Sequence, residues 1–204
     1  MKTFLSVLVG VACGFAIQQL LQVNISPIFK ICYGIIFTST ITRFFEGNII
    51  FYSKTYYSNG EVNNNCNDRI IKGKFDFYFM LLQFFIFSAI GYYIGNIKYL
   101  VYSLLLLNIS DFIWHGIAYL KAEKNVGTKK SSGSWCALNF LCALIPIGIF
   151  TIFFKSNTEY ILSTYATETL YAFTLLYIGA ALFDYIYNKD FYFGEDAKKV
   201  FLNF

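Results

Sequence analysis

Charge is what this chain has least of: Asp, Glu, Lys and Arg make up 14% of its 204 residues, against about 25% in an average soluble chain. With 57% hydrophobic and 21% aromatic residues and a mean hydropathy of +0.53, a water-soluble fold is not expected. Histidine occurs once, and arginine only at Arg43 and Arg69 beside fourteen lysines. One His and scattered carboxylates lack the ligand spacing of a metal site. No cofactor is expected either. The five cysteines, Cys13, Cys32, Cys66, Cys136 and Cys142, form no C-x-x-C pair and are odd in number, which argues against a closed disulfide framework. A net charge of +4 does not point to nucleic acid, because the basic residues flank apolar runs instead of gathering on one solvated face.

What the chain does have is long apolar runs. A bilayer core about 30 Å thick requires roughly 20 mostly apolar residues per helix. Six runs of that kind occur, at about 4–23, 28–52, 75–95, 97–120, 135–154 and 164–187. Strict alternation of the barrel kind is absent, and helices satisfy their own backbone groups in lipid. The expectation is an all-α, polytopic membrane protein: one transmembrane domain over 1–204, a bundle of six helices.

The connections alternate in character. Those after the first, third and fifth runs are short, whereas loops 53–74 and 121–134 and the tail 188–204 are longer and basic. Twelve Lys or Arg residues fall on the side of the long loops, and only Lys30, Lys98 and Lys155 on the other. Cytoplasmic loops carry the basic excess, so both termini are expected in the cytoplasm and the protein in a bacterial inner membrane. The opening MKTFLSVLVGVACG also has the basic start and apolar stretch of a signal peptide. Gly10, however, stands where a lipoprotein site carries Leu, and the segment is read as a retained span.

Three successive hairpins are one reading of the organisation, since helices two, four and six carry ITRFFEGN, ISDFIWHG and ALFDYIYNKD at their inner ends. Any helix returning to the cytoplasm would look similar. Within the first long loop, Asn59-Gly60 is a turn signal between residues of strand propensity, which predicts either a small hairpin or a flexible loop. Tyr52, Tyr99, Trp135 and Tyr187 are expected as interfacial anchors, Pro146 as a kink in helix five, and Gln83, Asn108, Asn139 and Thr167 as interhelical glue.

Ionisable groups inside a span are costly, so each is a functional candidate until a partner explains it. They are Arg43, Glu46, Asp111, His115, Glu168 and Asp184. Counted from the first cytoplasmic lysine, Arg43 and Asp111 lie at matching depth, roughly 15 Å inward, with Glu46 and His115 in a layer nearer the cytoplasm and Asp184 shallower still. Arg43 and Glu46 are i, i+3 and Asp111 and His115 are i, i+4, so each pair shares a helix face. If helices two and four are neighbours, Arg43 meets Asp111 and Glu46 meets His115 in a polar vestibule open to the cytoplasm. Arg43 offers a planar fork of donors and keeps its charge when buried; alternatively it only ties helices together or snorkels. His115 is the natural proton carrier, or a packing histidine beside Trp114.

The segment KKSSGSWC, which places Cys136 at the expected start of helix five, resembles over a few residues the region around the nucleophile of the accessory-gene-regulator membrane endopeptidases. A helix N-terminus would activate such a thiol. The Arg, paired Gly and nearby His of that family are missing, and His115 stands twenty-one residues upstream on another helix. Cysteine proteolysis is therefore not adopted.

Three functions compete. The first is a small homo-oligomeric channel or transporter whose ligand or permeation path is lined by Arg43, Glu46, Asp111, His115 and Asp184. The second is a non-enzymatic sensor or anchor that recruits a cytosolic protein through its basic loops, as a membrane subunit of a bacterial stress or phage-defence system would. The third is a membrane-embedded enzyme using His115 as acid and base. The expected partners are thus the lipid bilayer, further copies of the chain and a cytosolic protein, with no nucleic acid.

Overall fold

A computed structural model describes residues 2–58, 61–62, 67–121, 126–153 and 166–193. Its elements are α1 (Lys2–Gln22), α2 (Pro27–Tyr56), β1 (Tyr57–Ser58), β2 (Glu61–Val62), α3 (Asn67–Tyr92), α4 (Ile97–Lys121), α5 (Val126–Phe153), α6 (Ala166–Tyr187) and α7 (Lys189–Phe193). Five helical stretches, Pro27–Phe51, Lys74–Tyr92, Ile97–Leu120, Lys130–Gly148 and Ala166–Tyr187, are long and apolar enough to cross a membrane. The remaining expected span, 4–23, corresponds to α1, whose apolar stretch Ser6–Gln22 is shorter.

Burial runs opposite to that of a soluble bundle. Leu120, Leu175 and Leu21 are exposed by 83%, 72% and 77%, while Gln83, Asn108 and Asn139 are fully enclosed. Outward leucine and inward amide is the arrangement lipid favours, because hydrocarbon solvates leucine and leaves an amide unbonded. The helix set is that of a multi-pass membrane protein.

Helix boundaries follow local chemistry. Ser26 precedes Pro27 at the first position of α2, where the missing N–H of proline costs nothing, and its carbonyl accepts from Phe29 and Lys30. The turn from α3 to α4 passes through Gly95 at φ +95°, a left-handed conformation suited to glycine. Asn96 then caps α4, its side chain accepting from the Tyr99 amide at 3.4 Å and its carbonyl from Leu100.

Several expected boundaries move. Helix α2 runs on to Tyr56, α3 begins at Asn67 and α5 at Val126, so much of the expected loops 53–74 and 121–134 is helix. The apolar run marks only the lipid-crossing part, and polar residues beyond it continue the same backbone ladder. β1 and β2 pair antiparallel, Tyr57 opposite Val62 and Ser58 opposite Glu61, framing the Asn59-Gly60 turn signal as the hairpin reading expected; residues 59 and 60 lie outside the described residues. Cys66, the connection 154–165 and the tail beyond 193 lie outside them too. The tail does not begin as a loose segment, since α7 folds back and buries Phe191 and Tyr192.

Packing is not organised hairpin by hairpin. The most extensive pairings are α4 with α5, α1 with α3, α2 with α6 and α3 with α4. The α1–α3 contact is close because Ala12 and Ala16 meet Gly91: a Cβ added at Gly91 would stand 2.5 Å from the Ala12 carbonyl oxygen. Small residues let membrane helices approach in this way. Gly91→Ala should therefore lower stability in detergent by about 1–3 kcal/mol through overpacking. Gly14→Ala, with nothing within 4 Å of the new methyl, should leave the melting temperature unchanged. Thermal unfolding followed by circular dichroism compares the two.

Candidate functional site

The centre of the bundle holds a network of polar side chains drawn from α2, α3, α4, α5 and α6 and closed by α7. Arg43 on α2 is 3% exposed. Its guanidinium Nη2 donates to Asn139 Oδ1 on α5 at 2.5 Å, and its Nε lies 3.4 Å from Asp184 Oδ2 on α6. The guanidinium also sits over the Phe44 ring, 4.7 Å from the centroid, a favourable cation–π arrangement. The Cys142 thiol lies beside it.

Asp184 is bonded through both carboxylate oxygens. Oδ1 accepts from Trp135 Nε1 at 2.6 Å and Asn188 Nδ2 at 2.7 Å, and Oδ2 accepts from Tyr192 Oη at 2.8 Å. Asn188 and Ser134 also exchange hydrogen bonds at 2.9 and 3.0 Å, which ties α5 to the α6–α7 junction. Burial, and then the adjacent Asp184 carboxylate, push the Tyr192 phenol above its ordinary value; it remains a donor.

Asp111 on α4 has a different set of partners. Gln83 Nε2 donates to its Oδ1 at 2.5 Å, and Asn139 Nδ2 donates to its Oδ2. Gln83 in turn accepts from Asn48 on α2 at 2.5 Å. Asn139 is the central link, accepting from Arg43 through its oxygen and donating to Asp111 through its nitrogen. His115 Nε2 faces Asp111 Oδ1 at 3.5 Å. The imidazole is enclosed by Trp114 and Trp135, both with ring centroids at 4.7 Å, and by Phe51 at 5.5 Å.

The placement differs from the expected one in its pairing. Arg43 and Asp111 do enter one network, but through Asn139, and the ion-pair partner of Arg43 is Asp184, which counting had placed too shallow. Helix α2 packs on α6 far more than on α4, so the carboxylate of α6 reaches the guanidinium first. Glu46 does not join His115; its Oε2 accepts from Tyr185 Oη at 2.5 Å, on the α6 side. Arg43, Asp111, His115 and Asp184 are all 3% exposed or less, so they form an enclosed core. Among the described residues the space they line with Phe44, Gly47, Asn48 and Trp135 is about 10 Å³, near the minimum for one water molecule. Glu168 stands exposed in the first turn of α6.

Trp135 is buried and bonded to Asp184, not an interfacial anchor, whereas Tyr99 and Tyr187 are about half exposed. Cys136 stands ten residues inside α5, away from any helix N-terminus, and its thiol donates to the Phe112 carbonyl at 3.8 Å. Asp76, not among the expected intramembrane charges, is buried and accepts from Trp114 Nε1 at 2.7 Å. Asn48, Asn188, Tyr185 and Tyr192 also carry the network without having been singled out. The Asn188–Tyr192 stretch could have been found from its aromatic pair next to a charge, an unusual composition for a solvated tail. Among the described residues no group of three or more His, Cys, Asp or Glu side chains is placed to hold a metal ion.

No family model, curated protein or solved structure matches this chain.

The two carboxylates differ in how much depends on them. Asp184→Ala should cost about 3–5 kcal/mol, because it strips the ion-pair partner from a buried guanidinium. Glu46→Gln keeps an acceptor for Tyr185 and should cost less than about 1 kcal/mol. Denaturation in mixed micelles measures both; equal losses would show that the Arg43–Asp184 pair does not organise the core.

Proposed function

We propose that this protein is a small proton-linked transport protein of the bacterial inner membrane, with six spans and both termini in the cytoplasm. The observation that carries the reading is the charge imbalance of the enclosed core. Arg43 brings one positive charge and is tied to two carboxylates, directly to Asp184 and through Asn139 to Asp111, so with a neutral imidazole these groups hold one negative charge in excess, and Asp76 is buried beyond Trp114. A membrane interior does not tolerate a net buried charge. One proton shared by Asp111 and His115, 3.5 Å apart, cancels the excess, and its arrival or departure changes which groups Arg43 must neutralise. Such a coupled pair titrates as a unit and is the physical basis for linking proton movement to a change in helix packing.

The six-span count rests on α1 packing along α3 through Ala12, Ala16 and Gly91, together with the twelve-to-three basic asymmetry. Assembly of several copies remains part of the proposal, with the outward apolar faces as contact surfaces. Reporters fused at either terminus should both be active only in the cytoplasm.

In proteoliposomes loaded with a pH-sensitive dye, the wild-type protein should collapse an imposed pH gradient faster than protein-free vesicles. Asp111→Asn and His115→Ala should return the rate to the protein-free level, while Glu168→Gln should not change it. Wild-type rates in both core variants would remove the cluster from the mechanism.

A second reading, a membrane anchor that recruits a cytosolic protein, is favoured by one observation: the core closes on itself, with space for about one water. A purely structural cluster would look the same. In that case the core variants would lose stability and no proton flux would exist to lose.

A further inference from the structure

Two buried nitrogens at the core have no hydrogen-bond partner among the described residues: Arg43 Nη1 and His115 Nδ1. Both residues are more than nine-tenths buried, and both line the same small cavity, with Gly47, Asn48, Asp111, Trp135 and Asp184 around it. A buried donor or acceptor without a partner costs about 1–3 kcal/mol, and in lipid bulk water is not at hand to supply one. The cavity and the two nitrogens together define what fits between them.

The ligand must first be small, since about 10 Å³ of free space accepts one water-sized species. It must also accept a hydrogen bond, because a guanidinium only donates. Inorganic cations and ammonium fail on this count, having no lone pair to offer Arg43. An anion fails on charge, with Asp111 and Asp184 lining the same space. The remaining condition comes from His115. Its Nε2 lies 3.5 Å from Asp111 Oδ1, and a neutral imidazole with its proton toward that oxygen has Nδ1 as an acceptor. The ligand therefore accepts from Arg43 and donates to His115. Water does both.

We infer that the cavity between Arg43 Nη1 and His115 Nδ1 is a single-water site, and that this water feeds protons through His115 to Asp111. A proton reaching the water moves from its oxygen to Nδ1, restoring neutral water. The Nε2–H bond then breaks and its proton passes to Asp111 Oδ1, so the imidazole is neutral again and the carboxylate becomes a carboxylic acid. Return runs the same steps backwards: Asp111 gives its proton back to Nε2 as Nδ1 returns its own to the water, so the relay is an exchange of one proton between the water and the carboxylate. Arg43 donates to the oxygen whenever the water is neutral. This relay rests on the transport reading; the water site itself does not.

The single histidine makes the test direct. Full-length protein labelled with ¹⁵N-histidine and reconstituted in lipid bilayers gives the two ring nitrogens of His115 alone. Solid-state NMR should show Nε2 carrying the proton, Nδ1 shifted as a hydrogen-bonded acceptor, and magnetisation passing from water protons to Nδ1. Gly47→Ala adds a methyl to the cavity wall, 3.1 Å from Tyr192 Oη and 3.6 Å from Trp135 Cζ2. It should abolish the transfer from water while leaving the Nε2 proton in place. A proton on Nδ1, or an Nδ1 signal that receives nothing from water in the wild-type protein, overturns the site. Undiminished transfer in Gly47→Ala overturns its location. Water contact without proton flux in vesicles would sink the transport reading and keep the site; flux without water contact would do the reverse.

Discussion

Solvating one permanent positive charge in a low-dielectric interior is the constraint on which the rest of this bundle depends. Arginine cannot shed its proton to ease burial, so Arg43 must be met by partners, and these dictate which helices converge. Asp184 supplies the opposite charge from α6, Asn139 a neutral acceptor from α5. Each partner then needs partners of its own. Asp184 is satisfied by Trp135, Asn188 and Tyr192, which explains why the chain after α6 turns back to bury an aromatic pair. Asn139 passes the connection to Asp111, and Asp111 to Gln83 and Asn48. One charge thereby fixes the relative placement of α2 through α7.

This dependence also explains why aromatic rings crowd one end of the core. Trp114 and Trp135 have large apolar faces and one N–H each, and both N–H groups are spent on carboxylates, Asp76 and Asp184. Their faces then enclose His115 together with Phe51. A tryptophan can dry a site and still bond to its edge; leucine could do only the first. The result is a histidine 3.5 Å from Asp111, with Asp76 and Asp184 at the edges of the two indoles that shield its faces, which restricts the route by which a proton can reach it.

Much of the architecture was legible in the sequence because lipid imposes it through length and composition. The helices from α2 to α6 lie where the apolar runs predicted, and the strands β1 and β2 pair on either side of the Asn59-Gly60 signal. Boundaries were less legible, since Lys129, Lys130 and Ser131 continue α5 although nothing in their hydropathy says so. Identifying Arg43, Asp111, His115 and Asp184 as the residues to watch needed only the cost of intramembrane charge. Who pairs with whom did not follow, because spacing along one helix fixes a face and not its neighbour. Pairing Glu46 with His115 assumed that α2 and α4 adjoin, whereas α2 lies on α6 and Glu46 meets Tyr185. Trp135 was misread for a related reason: near a span end, an indole looks the same whether it faces headgroups or a buried carboxylate.

An excess of negative charge around Arg43 is what the proposed proton linkage rests on. A cluster retained only to hold helices together would do so best when balanced, one carboxylate to one guanidinium, with amides for the remainder. Here a second carboxylate stands beside the only histidine in the chain, and the link between the two halves is Asn139, which carries no charge and so leaves each half its own proton count. When Asp111 is neutral, Arg43 and Asp184 form a closed pair; when it is ionised, Arg43 is drawn toward two anions through a single amide. A proton on Asp111 would thus alter a network shared by α2, α4, α5 and α6, which is the coupling that the proposed proton linkage requires.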